Sequence, residues 1–235
     1  MINEDESRGE AKETGRLEAF SDGIFAVAIT LLVLEIKIPP PETSGLGLWV
    51  LAQWPSFLAY FISFMTILIM WINHHSIFRL VHRTNHTFMV LNGVLLLLIT
   101  FVNYPTAVLA EHLQAPAHSD QSFVGAFYSA TFVVISLAFQ ALWRYATYNR
   151  RLLGKKADPA LVATIHKQYR FGPLFYIVAF ALAFVNVWAS VAVNGGLAVY
   201  FAFTGQMTRA SSNKQKQVPH EQTPEDNQPS AKSSG

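Results

Sequence analysis

The stretch "GRLEAFSDGIFAVAITLLVLEIKIPP", Gly15–Pro40, decides the fold. Its right half reads as a membrane helix, while its left half carries Arg16, Glu18, Ser21 and Asp22. The apolar run after Asp22, from Gly23 to Ile36, holds 14 residues. At the helical rise that is about 21 Å, short of a hydrocarbon core of about 30 Å. To cross, the helix must begin near Leu17 and run to Ile36, which places Asp22 roughly 7 Å inside the boundary. A carboxylate at that depth is costly against lipid, so it faces the protein interior or water and finds partners.

The rest of the chain supports a membrane reading. Of its 235 residues 51% are hydrophobic and only 14% charged, against about 25% charged in soluble domains. A net charge of +2 is too small to argue for nucleic-acid binding. The absence of cysteine excludes disulfides, thiolate metal sites and a cysteine nucleophile. The N-terminal "MINEDESRGEAKETG" has no apolar core and does not read as a secretory signal peptide. The last thirty residues are polar and poor in aromatics, the composition of a disordered tail.

Further spans are predicted at about Trp54–Ile77, Phe88–Leu109 and Phe123–Leu142, with Pro55 suited to a first helical turn. Phe171–Thr204 is too long for one span. It is split here near Asn186–Ala189, with Asn194-Gly195-Gly196 as a rival break. With both termini on one side, sixteen of the seventeen Lys and Arg residues fall on that side and only Lys37 on the other. This is a strong positive-inside asymmetry. The expectation is an all-α polytopic membrane protein with six transmembrane helices per subunit and both termini cytoplasmic. Residues 1–15 form a polar N-terminus, 16–205 the helical domain and 206–235 a cytoplasmic tail.

That topology brings candidates to the depth of Asp22. Trp71 and His74 lie at i and i+3 on the second helix, and Asn92 lies about one turn into the third. With Arg16 and Ser21 they form a set in which Asp22 accepts and the others can donate. A plainer reading stands beside it: Arg16 snorkels, and Glu18 and Asp22 decorate a helix N-terminus. His74 and His75 are adjacent, so they point about 100° apart, and no third ligand stands at metal spacing. His75, His82, His86, His112 and His118 read as loop or interface residues. Ser21 lacks an oxyanion-hole motif, which removes the basis for a hydrolase. Past Asp22, Ala19, Gly23, Ala26 and Thr30 form a stripe of small residues that favours close helix approach. Beside it run Val27, Leu31 and Leu34, which alone are ordinary lipid-facing or core aliphatics. No "TVGYG" carbonyl filter occurs in the chain.

The motif Arg16-x-x-x-Phe20-Ser21-Asp22 with its "GIFAVAITLLVLEI" continuation resembles the first helix of the transmembrane protein 175 potassium-channel family. Trp71, His74 and Phe78 in "W-x-x-H-x-x-x-F", Asn92 in "VLNG" and the stretch Thr100–Thr106 extend the resemblance over three helices. The last three helices match by hydropathy and length only. The resemblance implies no enzyme and no cofactor, but a homotetrameric channel of the bacterial single-repeat kind, in the inner membrane, conducting potassium ions. It implies that the first helix lines a central pore. Val27, Leu31 and Leu34 then form an apolar constriction, and Thr30 a hydroxyl layer near which potassium passes. Val27 departs from the commoner isoleucine or leucine, implying a slightly wider ring. The family's polar network maps onto Arg16, Ser21, Asp22, Trp71, His74 and Asn92, with Phe20 in the same motif. Its usual Asn-Pro between the last two helices is here Asn186-Val187. A rival class is a proton-coupled secondary transporter, or a proton leak, using Asp22 and His74 as the titrating pair.

Overall fold

The computed structural model describes residues 4–113, 120–154 and 157–216, with side chains over 12–113, 120–154 and 157–201. Among these residues the fold is all helical. Its elements are α1 (Glu4–Leu31), α2 (Leu46–Ala52), α3 (Trp54–Phe78), α4 (His86–Phe101), α5 (Asn103–His112), α6 (Gln121–Thr147), α7 (Pro159–Ala183) and α8 (Val187–Lys216). Four stretches are long and apolar enough to cross a membrane: Lys12–Glu35, Trp54–Phe78, His86–His112 and Gln121–Arg150. Val187–Phe201 within α8 is a shorter apolar segment.

Each boundary has a local cause. Asn85 caps α4, its side-chain oxygen accepting from the Phe88 amide at 3.0 Å. The third predicted span breaks at Val102 into α4 and α5. Pro105 has no amide proton to give the Phe101 carbonyl four residues back, and its ring crowds that carbonyl. The α1 helix tightens at its far end into a 3-10 turn over Leu32–Glu35.

Four boundaries differ from the sequence expectation. Helix α1 begins at Glu4, so the polar N-terminus over residues 4–15 is wound into the first helix. Helix α7 begins at Pro159 rather than Phe171, because Asp158 caps it by accepting from the Ala160 amide at 2.9 Å, with proline in the first turn. The turn between α7 and α8 falls at Phe184–Asn186, where Asn186 Oδ1 accepts from the amides of Trp188 and Ala189 at 2.8 and 3.2 Å. The rival Asn194-Gly195-Gly196 break lies inside a continuous α8. That helix runs to Lys216, so 206–216 is helical; residues 217–235, the remainder of the expected tail, lie outside the described residues.

The helices pack as two linked groups. Helix α1 packs chiefly on α3 and α4, while α6 packs on α4, α5, α7 and α8, most extensively on α7. Phe25 of α1, Leu32 of the 3-10 turn that follows it, Leu95 and Ile99 of α4, and Tyr128, Phe132 and Trp143 of α6 are fully buried. In lipid, such contacts stabilise through close packing and hydrogen bonds rather than through water exclusion. Two buried hydroxyl clusters supply the latter. Thr106 donates to the Val102 carbonyl at 2.8 Å, so it accepts from Ser63 (2.8 Å), which accepts from Tyr128 (2.9 Å). Elsewhere Asn194 Nδ2 donates to Ser129 at 2.9 Å, and Ser190 donates to the Ala179 carbonyl at 2.8 Å, joining α6, α7 and α8.

Gly125 lets α6 meet the α7–α8 turn. A methyl there would lie 2.9 Å from Val187 Cγ2 and 3.3 Å from Ala183 Cβ, and a valine side chain is stiff at χ1. Gly125→Ala is expected to destabilise the fold by about 1–3 kcal/mol, read as a lower melting temperature of the detergent-solubilised protein. An unchanged melting temperature would mean the α7–α8 turn yields freely.

The α3–α4 and α6–α7 connections meet at one end of the bundle. Val81 and Leu153 form an isolated antiparallel bridge. The His82 amide donates to the Leu152 carbonyl and the Gly154 amide to the Leu80 carbonyl, both at 3.0 Å. The His82 ring lies over Gly154, within 2.5 Å of where a Cβ would stand. This end also carries Arg79, Arg83, Arg144 and Arg150 and is called the basic end below.

Candidate functional site

The polar half of α1 meets α3 and α4 near the basic end. Two rungs tie α1 to α3. Asp22 Oδ1 accepts from Trp71 Nε1 at 2.8 Å, and Glu18 Oε1 lies 2.8 Å from His75 Nδ1. The pairs are four residues apart on each helix and run in opposite senses, as two antiparallel helices require. A third contact ties α1 to α4. His74 Nε2 lies 2.8 Å from Asn92 Oδ1, Asn92 Nδ2 donates to Ser21 Oγ at 2.9 Å, and Ser21 donates to the Leu17 carbonyl at 2.8 Å. The amide oxygen only accepts, so His74 carries its proton on Nε2. The protons therefore point one way along the whole chain, from His74 to the Leu17 carbonyl. Ser21, His74 and Asn92 are 0% exposed. His74 is further held between Phe78, stacked at 4.5 Å, and Phe25, tilted at 5.2 Å.

Of the predicted set, Ser21, Asp22, Trp71, His74 and Asn92 come together. Arg16 does not join them. It is exposed, and among the described residues it makes no hydrogen bond or ion pair. At 3.6 residues per turn Arg16 points about 120° away from Asp22, whereas Glu18 is only about 40° off. Phe20 is also exposed, and both Arg16 and Phe20 line an open cavity of about 570 Å³ between α1 and α4. Asp22 and His74 share no hydrogen bond. Glu18 and His75 are a rung that sequence reading missed; the repeat of four at Glu18/Asp22 and Trp71/His75 is the signal that could have revealed it. Among the described residues no three His, Asp or Glu side chains are placed to hold a metal.

The other half of α1 divides cleanly by face. Phe25, Ala28 and Leu32 continue from Ser21 at spacings of 4, 3 and 4 and are buried against the bundle. Val27, Leu31 and Leu34 are 53%, 43% and 72% exposed, and Ala19, Gly23, Ala26 and Thr30 are exposed beside them. Leu34 lies in the 3-10 turn, where residues three apart eclipse, so it stands about 6 Å directly beyond Leu31. Val27 lies about 6 Å on the near side. Thr30 Oγ1 donates to the Val27 carbonyl at 2.9 Å. Its proton is thus spent on the helix, which leaves the hydroxyl oxygen free to accept.

The family described as "Endosomal/lysosomal potassium channel TMEM175" matches residues 16–103. A potassium channel of Chamaesiphon minutus is 54% identical over 196 residues, covering 82% of this chain and 95% of that protein. The chain belongs to the TMEM175 family. A potassium channel of Streptomyces collinus is 43% identical, over 81% of this chain and 92% of the relative. The crystal structure of a lysosomal potassium-selective channel TMEM175 homolog from Chamaesiphon minutus matches with a TM-score of 0.74 at 51% identity, covering 83% of this chain and 98% of the other. The TMEM175 family match begins at Arg16 and spans α1, α3 and α4, the three helices that carry the polar contacts.

Proposed function

We propose that this TMEM175 family member is a potassium-preferring cation channel whose pore is lined by α1 in a homotetramer. The observation that carries the reading is the two-faced α1. Its polar half is fastened to α3 and α4, while Val27, Thr30, Leu31 and Leu34 form a continuous face that its own subunit leaves uncovered. Four such faces around an axis would give three apolar rings about 6 Å apart, with a hydroxyl layer at Thr30. The small residues Ala19, Gly23 and Ala26 lie on the same side, where neighbouring copies of α1 must approach closely. Apolar rings hold no ion tightly and gate by dewetting. Preference for potassium arises from its lower dehydration cost, without a carbonyl filter.

In this reading the chain crosses the bacterial inner membrane six times, with α7 and α8 completing the spans, and both termini are cytoplasmic. The gathering of Lys and Arg at the basic end supports that orientation. The polar contacts at Ser21, Asp22, Trp71, His74 and Asn92 set the tilt of α1 and hence the width of the rings. Arg16 and Phe20 stand at the inner mouth.

The test is the reversal potential of the purified protein in lipid bilayers under opposed potassium and sodium gradients. A shift toward the potassium equilibrium potential is expected. A reversal potential that ignores both cations and follows an imposed pH gradient instead would replace this reading with a proton pathway.

A further inference from the structure

A second feature lies on the far side of the subunit from α1. Between residues 121 and 201 the only acid is Asp158, against seven Lys and Arg residues. Asp158 is engaged as the cap of α7. Two adjoining cavities open where the end of α6 meets the first turns of α7. One, of about 580 Å³, is walled in part by Arg150, His166, Lys167 and Arg170. The other, of about 320 Å³, is walled by Gln140, Trp143, Arg144, His166, Tyr169 and Arg170. His166 and Arg170 belong to both.

The cations here are uncompensated. Among the described residues Arg144, Lys167 and Arg170 have no acidic partner, and Arg150 donates only to the Ala157 carbonyl at 3.2 Å. Lys167 and Arg170 are three apart on α7 and repel each other. A positive-inside bias requires only that charges fall in the right segments; it does not require two helices to converge them on one cleft. The wall holds a second, independent mark. Trp143 is fully buried, and its indole Nε1–H finds no acceptor among the described residues. An indole nitrogen donates and never accepts. Pro173 marks the same place. It leaves the Tyr169 carbonyl without its helical amide, and Gln140 Nε2 supplies the missing proton at 3.3 Å, pinning α6 to α7 at the floor of the cleft.

We propose that this α6–α7 cleft is a binding site for a phosphate-bearing anion, with Arg144 and Arg170 as its principal cationic contacts. Guanidinium groups suit phosphate oxygens through paired, charge-assisted hydrogen bonds. At the end of a membrane bundle two sources share this chemistry, the headgroup of an anionic phospholipid and free phosphate.

The full-length protein in mild detergent, with phosphatidylcholine as the neutral reference, is titrated in separate arms with short-chain phosphatidylglycerol and with inorganic phosphate. Binding is read by native mass spectrometry and by melting temperature. Wild type is expected to retain phosphatidylglycerol over phosphatidylcholine, and Arg144→Gln/Arg170→Gln to weaken that binding at least tenfold. Arg151 serves as the control: it lies over the Tyr145 and Tyr148 rings at 5.8 and 5.9 Å and lines neither cavity. Arg151→Gln should bind as wild type does. Should the double variant fail to fold, His166→Gln/Lys167→Gln, which alters only exposed side chains, decides in its place. Competition by inorganic phosphate at equal concentration assigns the site to soluble phosphate, and its absence assigns it to lipid. No preference in the wild type for either anion overturns the proposal, as does an equal loss in Arg151→Gln.

Discussion

Replacing Leu31 with serine is expected to raise cation flux through the reconstituted protein by roughly tenfold and to narrow its potassium preference. Leu31 is the middle of three apolar side chains on the uncovered face of α1. In a tetramer the substitution removes four isobutyl groups from one ring and puts four hydroxyls in their place. Water then wets the ring, and an ion crossing it keeps more of its hydration. Lowering the barrier by about 1.4 kcal/mol is enough for a tenfold change in rate. Preference falls because the difference between ions lies in how much hydration each gives up. Leu137→Ser on α6, where the side chain is likewise exposed but far from α1, controls for general loosening of the bundle. Flux and preference in Leu31→Ser that match those of wild type would remove Leu31 from the pore.

Asn92→Leu is expected to produce the largest loss of stability. The substitution keeps the approximate volume of the side chain but removes both of its hydrogen bonds. His74 Nε2–H loses its acceptor and Ser21 Oγ loses its donor, in a place neither can hydrate. Each buried group left unpaired costs about 1–3 kcal/mol, although hydrogen bonds inside membrane proteins average nearer 0.6 kcal/mol. The two figures bracket the total, and a loss of about 2–4 kcal/mol is expected from the full burial of this chain. It should show as a marked fall in melting temperature and in recovery of assembled protein. Because the hydrogen bond that ties Ser21 to another helix runs through Asn92, Ser21→Ala should cost much less on the Asn92→Leu background than on wild type. Additive losses would mean the two side chains act independently.

Much of this site was legible in one dimension because depth is a one-dimensional quantity. Span arithmetic sets Asp22, Trp71, His74 and Asn92 at one level, and the structure joins Asp22 to Trp71 and His74 through Asn92 to Ser21. Azimuth was less legible. Arg16 lies about 9 Å along α1 from Asp22 and points about 120° away from it, while Glu18 and His75 supply the second rung instead. The hydroxyl clusters at Ser63, Thr106 and Tyr128 and at Ser129, Ser190 and Asn194 gave no signal. Serine and threonine can always satisfy themselves on a carbonyl in their own helix, so their sequence carries no mark of a tertiary partner. Of the two candidate breaks in the last stretch, the one near Asn186 holds. Asn194-Gly195-Gly196 looks like a break, yet Asn194 is a buried donor and Gly195 is where a side chain of α3, Ile62, comes close. The true cap at Asn186 has the weaker-looking sequence. Pro105 and Asp158-Pro159 were readable signals of the α4–α5 break and the start of α7, and only the emphasis on membrane length hid them.

The short backbone pairing of Val81 with Leu153 has a mechanical meaning. Neither loop is free to swing alone, because sliding one past the other must first break two amide–carbonyl bonds. The α3–α4 and α6–α7 hairpins are therefore riveted at one end, as two arms of a single frame. Helix α1, held by polar contacts to α3 and α4, is thereby fastened to one arm of that frame.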